Sequence, residues 1–209
     1  MKTVEPRKFD PSHRHRLCAE ERKKRLPPEN IFADIGLKPG DTFVEVGCGT
    51  GFFTLPAASL VGREGRVFGL DISPEMISDL RNSAGALKLT NVELVLSSET
   101  EPKLPREATF YFLGNVFHEL SDKSGYLDNI RQSMGPLSRL VIIDYHRRKT
   151  EHGPPVRERV SLKSARGWLE RHGFTVQKVW RVNSEEYGIL AGGKSFPGVP
   201  STSAALSGE

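Results

Sequence analysis

Glu45, Gly47, Cys48, Gly49 and Gly51 crowd into the stretch VEVGCGTGFF, residues 44–53, and Asp71 stands twenty residues beyond the last of these glycines. An apolar run that breaks into alternate glycines reads as a strand entering a loop that opens a helix. Such a loop offers backbone N–H groups and a helix N-terminus at the carboxyl end of a sheet, where open α/β sheets bind ligands. Two features argue against a dinucleotide. The third glycine comes one residue earlier than G-x-G-x-x-G requires, and the charge of Glu45 before the loop would repel a pyrophosphate but attract a cationic amine. Asp71 closes the run GRVFGLD, where a carboxylate can accept hydrogen bonds from both ribose hydroxyls. Taken singly, the glycines could be a tight turn and Asp71 a helix cap; together they describe an adenosine pocket.

These residues need a parallel sheet to hold them, and the chain supplies its pattern. Strand-like runs at 43–46, 66–71, 92–96, 109–113 and 139–144 alternate with segments suited to helices at 51–61, 74–87 and 121–134. Ahead of them, residues 12–25 read as a polar helix with Ser12 as its cap and Pro27-Pro28 as its stop. Ile31, Phe32 and Ile35 form the apolar stripe of a short second helix. Near the end a helix over 162–174 stops at Gly173, and the runs TVQKVWRV and EYGILAGG follow with only Asn183–Glu185 between them. So short a connection forces an antiparallel pair. The expected division is a basic helical arm (1–26), an α/β domain (27–192) and a Gly/Ser/Pro-rich disordered tail (193–209).

With 209 residues the chain suits one substantial domain. Its net charge of +4 lies wholly in residues 1–30, which hold nine Lys/Arg against five Asp/Glu; the other 21 basic and 21 acidic residues cancel. A basic arm on a neutral body is a weak case for a polyanion, so nucleic acid takes second place as a partner. Cys18 and Cys48 form neither a disulfide framework nor a metal-ligand set, which implies a reducing compartment. The first residues lack an apolar signal core and no run of 18 apolar residues occurs, so the expectation is a cytoplasmic protein with no membrane insertion.

The stretches LKPGDTFVEVGCGTGFFTLPAA, GRVFGLDISPEMI, NVELVLSSETEPKLP, ATFYFLGNVFHEL and RLVIIDYH, with the helix and hairpin of 162–192, resemble the class I S-adenosylmethionine-dependent methyltransferases. The likeness is to the small-molecule branch that includes the ubiquinone/menaquinone-biosynthesis enzymes. It implies a Rossmann-like α/β fold, with a seven-stranded, mostly parallel sheet, an antiparallel last strand and helices on both faces. It implies S-adenosylmethionine as cofactor and S-adenosylhomocysteine as product. Glu45, Gly47, Cys48 and Gly49 would line the methionine part, Asp71 would hold the ribose, and Ile72 would pack on the adenine, with Leu113 beside the cofactor. Where the family usually carries an acid for the adenine amino group this chain has Ser98, followed by Glu99, so adenine recognition could pass to either or to backbone groups.

Methyl transfer from a sulfonium requires chiefly alignment and the exclusion of water, with a base only for some nucleophiles. The carboxyl ends of the fourth and fifth strands offer Asn115, His118 and Glu119, then Tyr145 and His146. His118 is the leading candidate base, with Asn115 and His146 as further catalytic candidates; a packing role for His118 is the competing reading. The loop YHRRKTEHGPPVRERVS, residues 145–161, carries five Lys/Arg and could attract an anionic acceptor, while the N-terminal helix could lie over the site as a lid. LGNV at 113–116 departs from the Asn/Asp-Pro-Pro-aromatic loop of amino-group methyltransferases acting on adenine or glutamine. Two cysteines suit arsenite poorly, and no acid cluster suggests a metal site. The alternatives are an RNA or protein methyltransferase and a cofactor-binding protein without catalysis.

Overall fold

The computed structural model describes residues 20–98, 100 and 102–193. Residues 12–19 of the expected first helix, Glu99 and the expected tail from 194 lie outside them. Seven strands, β1 (Thr42–Val46), β2 (Arg66–Asp71), β3 (Val92–Leu96), β4 (Phe110–Gly114), β5 (Arg139–Tyr145), β6 (Phe174–Arg181) and β7 (Glu186–Gly193), form one sheet in the order β3-β2-β1-β4-β5-β7-β6. β7 runs antiparallel to β5 and β6, and the other pairs are parallel. The connection expected to force that reversal is an Asn183 turn: its Oδ1 accepts from the backbone N–H groups of Glu185 (2.8 Å) and Glu186 (2.9 Å).

Among the described residues six α-helices follow the order α1 (Glu20–Arg25), α2 (Pro28–Ile35), α3 (Thr54–Val61), α4 (Pro74–Ala86), α5 (Lys123–Ser133) and α6 (Leu162–Arg171). Strand alternation builds two cores. Val44, Tyr111, Leu113, Ile142 and Ile189 face one side and pack with Leu127 and Ile130 of α5 and Leu169 of α6. Phe43, Phe110, Phe112, Val141 and Ile143 face the other, where they meet Ile31, Phe32 and Ile35 of α2 and Ala57, Ala58 and Val61 of α3. The apolar stripe of α2 read from the sequence is thus buried. Ser73 caps α4 by accepting from the Met76 N–H at 3.2 Å, a contact worth about 1 kcal/mol, with Pro74 in the first turn.

One boundary differs with a physical cause. The helix expected from residue 51 begins at Thr54, because Gly51 has φ +94° and belongs to a turn in which its N–H bonds Cys48 O. Among the described residues no helix is long and apolar enough to cross a membrane. β1 and β4 are neighbours from which the sheet is wound outward in both directions, so the segments leaving their carboxyl ends diverge and leave a crevice.

Candidate active site

That crevice is a cavity of about 1200 Å³. At one end the glycine loop leaves β1. Gly47 has φ +66°, and a Cβ there would come within 2.5 Å of Val116 Cγ2, so both the backbone conformation and the close approach of the segment after β4 require glycine. Asp71 Oδ2 accepts from Gly49 N–H at 2.8 Å and Oδ1 from Ser73 N–H at 2.9 Å, which ties the end of β2 to the loop. Each oxygen keeps a second lone pair for a ligand hydroxyl. Burial raises the Asp71 pKa despite these bonds. Glu45 is 2% exposed, accepts a hydrogen bond from the Thr54 hydroxyl, and is pushed by burial up to about 8. A carboxyl so placed gains its charge on meeting a cation. Ile72 stands 44% exposed on the cavity wall, where the flat face of a base would cover it, and Ser98 lines the same wall.

At the other end the segment after β4 meets the end of β5. Phe117–Glu119 form a single 3-10 turn that turns His118 toward the cavity. Asp144, fully buried on β5, accepts from His118 Nδ1 at 2.8 Å through Oδ1 and from the His118 backbone N–H at 3.0 Å through Oδ2. Burial alone would lower the His118 pKa, but the charge and hydrogen bond of Asp144, with the charge of Glu119, raise it. With Nδ1–H given to Asp144, Nε2 keeps its lone pair.

A second network braces this end. Asn115 sits in the left-handed region at φ +62° and donates from Nδ2 to Glu186 Oε1 at 3.1 Å. The fully buried Glu186 also accepts from Arg25 Nη1 and Asn183 Nδ2, both at 2.6 Å, and Arg25 Nη2 reaches the Tyr145 hydroxyl at 3.2 Å. Arg25 therefore fastens α1 beside the cavity, which Glu21, Arg22 and Arg25 help to line. The loop after β5 forms the remaining wall. The buried guanidinium of Arg159 donates to the carbonyls of His146, Arg148, His152 and Pro154 and to the Thr150 hydroxyl. Glu185 receives the backbone N–H groups of Glu151 and His152 at 2.9 and 3.0 Å.

Residues 37–183 match the family model described as a methyltransferase domain. The chain belongs to that methyltransferase-domain family. A solved S-adenosylmethionine-dependent methyltransferase from Aquifex aeolicus superposes with a TM-score of 0.84 and 33% identity, over 88% of this chain and 98% of that one. Among curated relatives, a demethylmenaquinone methyltransferase of Bacillus cereus is 40% identical over 46% of this chain and 40% of its own length. An arsenite methyltransferase of Halobacterium salinarum is 31% identical over 55% of this chain and 30% of its own length. The chain thus spans well under half the length of these two curated relatives. The fold is the Rossmann-like class I fold expected from the sequence, and the cofactor of the family is S-adenosylmethionine.

In this methyltransferase-domain protein Glu45, Gly47, Cys48, Gly49, Asp71, Ile72 and Ser98 line the cavity together, and Asn115 and His118 line it with them. Cys48 is buried and free, its thiol pKa pushed well up by burial. Two expected residues do not reach the cavity. Leu113 is fully buried in the core shared with α5 and α6, and its neighbour Gly114 takes the lining position. His146 packs on the Tyr187 ring, 5.5 Å between centroids, while Tyr145 faces the cavity. For Leu113 successive strand residues point to opposite sides, so one step along β4 exchanges wall for core, whereas the half-buried His146 lies just past the end of β5. Glu99 is outside the described residues. Asp144, Glu186 and Arg25 were not singled out from the sequence. An acid closing the apolar run LVIID was a usable signal for Asp144; the other two depend on which strands are neighbours and left no local mark.

Proposed function

We propose that this protein transfers the methyl group of S-adenosylmethionine to a small-molecule acceptor, with His118 taking the proton that the acceptor gives up. The observation that carries the reading is the hydrogen-bonded His118–Asp144 pair, whose imidazole lines the cavity together with the glycine loop and Asp71. The donor set suits the cofactor: a buried carboxyl in Glu45 for its amine, spare lone pairs on Asp71 for its ribose, and the exposed Ile72 for its base. When bound, S-adenosylmethionine supplies an electrophilic methyl on a sulfonium whose leaving group is a thioether.

The chain's own work is alignment and proton handling. Gly47 and Gly49 hold the loop close, Asn115 is fixed by Glu186, and the apolar Phe52, Val116, Leu120 and Tyr145 keep water away from the reacting centre. His118, its pKa raised by Asp144, removes a proton from the acceptor and needs no metal-bound water to do so. Residues 27–192 form the catalytic domain and 1–26 a basic arm before it. An anionic acceptor has only the composition of the 145–161 loop in its favour. A cofactor-binding protein without chemistry would have no use for an imidazole oriented at Nδ1. Calorimetric titration with S-adenosylmethionine, S-adenosylhomocysteine and a nicotinamide dinucleotide tests the reading: the first two bind and the dinucleotide does not. Dinucleotide binding in their place would overturn it.

A further inference from the structure

Three reactive side chains meet where α5 faces α6. Ser124 and Asp128 stand four residues apart on α5, so they share one face of the helix, and His172 closes the end of α6. The His172 imidazole lies between them, with Nδ1 2.7 Å from Asp128 Oδ1 and Nε2 3.0 Å from the Ser124 hydroxyl. Trp168, one turn earlier on α6, stacks on the ring with 5.8 Å between centroids and 19° between planes. The His172 backbone N–H bonds the carbonyls of Trp168 and Leu169, both at 3.2 Å. The imidazole is therefore held in its plane as well as at both nitrogens. None of Ser124, Asp128, Trp168 and His172 lines the methyl-transfer cavity.

A carboxylate that takes Nδ1–H leaves Nε2 of the neutral ring with its lone pair, and the group beside that lone pair is a hydroxyl. In that order of groups the imidazole can draw the proton from serine while the carboxylate steadies the imidazolium that forms. A tie between two helices needs only one of the contacts; the two together set the tautomer. Ser124 is half-buried, so its hydroxyl is not sealed in the core, and Asp128 keeps 55% of its side chain exposed against 13% for His172. Ser124 is also the second residue of α5. The N–H groups of Lys123 and Ser124 precede any carbonyl partner within the helix, so the start of α5 favours negative charge developing beside the hydroxyl.

We infer that Ser124 is a nucleophile that takes the acyl group of small activated esters, with His172 as its general base and Asp128 positioning the imidazole. The Ser124 oxygen bonds the ester carbonyl carbon while its proton passes to His172 Nε2. Collapse of the tetrahedral adduct breaks the bond to the alcohol oxygen, which leaves with that proton. Water repeats the sequence on the acyl-serine and releases the acid. Short acyl groups suit a hydroxyl that stands on a helix surface outside the large cavity. This second activity uses no residue of the methyl-transfer site and holds whether or not that reading does.

Diisopropyl fluorophosphate reports serines that a neighbouring base activates, forming an Oγ–P bond and releasing fluoride. Peptide mass spectrometry of the treated protein is expected to place the adduct on Ser124, and p-nitrophenyl acetate to leave an acetyl group on the same residue. His172→Gln slows labelling at least about 10²-fold, the usual worth of a general base. Asp128→Asn slows it about ten-fold, less than in a buried triad because water already reaches this carboxylate, and Asp128→Glu restores the rate. Both slowed variants are compared only with circular dichroism matching the unaltered protein. No adduct on Ser124 of the unaltered protein, labelling spread over other serines instead, or undiminished labelling in folded His172→Gln would overturn the inference.

Discussion

The end of the cavity that contains Glu45, Gly47, Gly49 and Asp71 comes from one strand–loop–helix–strand unit, and its key contacts run through backbone N–H groups. The end that contains Asn115, His118 and Tyr145 is assembled from side chains carried by α1, β5, β7 and two loops, with partners as distant in the chain as Arg25 and Glu186. A binding site for a constant ligand can be written into local geometry. A site for a variable ligand is made of side chains that long-range packing brings together, and each can be exchanged without rebuilding the sheet.

If that division is real, the two ends respond separately to substitution. The largest effect is expected at the acceptor end, where His118→Ala lowers kcat roughly 10²–10⁴-fold with S-adenosylhomocysteine affinity intact. It is read as S-adenosylhomocysteine release with an acceptor that the unaltered protein turns over. At the cofactor end, Asp71→Ala removes an acceptor of two loop N–H groups and weakens S-adenosylhomocysteine binding about 10²-fold in calorimetry. Asp144→Asn keeps the shape of the His118 contact but removes the charge that raises its pKa. The imidazole should then titrate at lower pH by NMR, and an unshifted titration would break the proposed pairing.

That Glu45, the glycines and Asp71 meet at one end of a cavity was legible in the sequence because its requirements are local. Gly47 announces a left-handed, crowded backbone, and Asp71 announces itself by closing a strand at a fixed distance from the loop. The reversed β7 was legible for the same reason, since three residues cannot make a crossover. Leu113 lies in the core while Gly114 lines the cavity, because at the end of a strand a one-residue shift exchanges the faces, and His146 lies past the end of β5 beside Tyr187. Glu186 was illegible: nothing in EYGILAGG says that its first carboxylate will lie opposite Tyr145 and collect Arg25, Asn115 and Asn183.

The smallest effect separates the ends by pH. Burial holds the Glu45 carboxyl protonated up to about 8, against an ordinary 4.5. A raised folded-state pKa contributes stability that is fully present below the unfolded value and is lost as pH rises through the folded one. The thermal midpoint of the ligand-free protein should therefore fall between about pH 5 and pH 8, and Glu45→Gln should flatten that slope. An unchanged slope in the variant would move its origin away from the cofactor end.

Arg159 bears on how such a protein acquires a new acceptor. Four of its five partners are main-chain carbonyls, a group that every residue provides whatever its side chain. The hub therefore holds the shape of the wall without reading its sequence. Positions 151 and 158 can change in charge, size or polarity while the path of the loop stays put. The chain separates the scaffold of its substrate wall from the lettering on it, and specificity can drift one residue at a time without a cost in architecture.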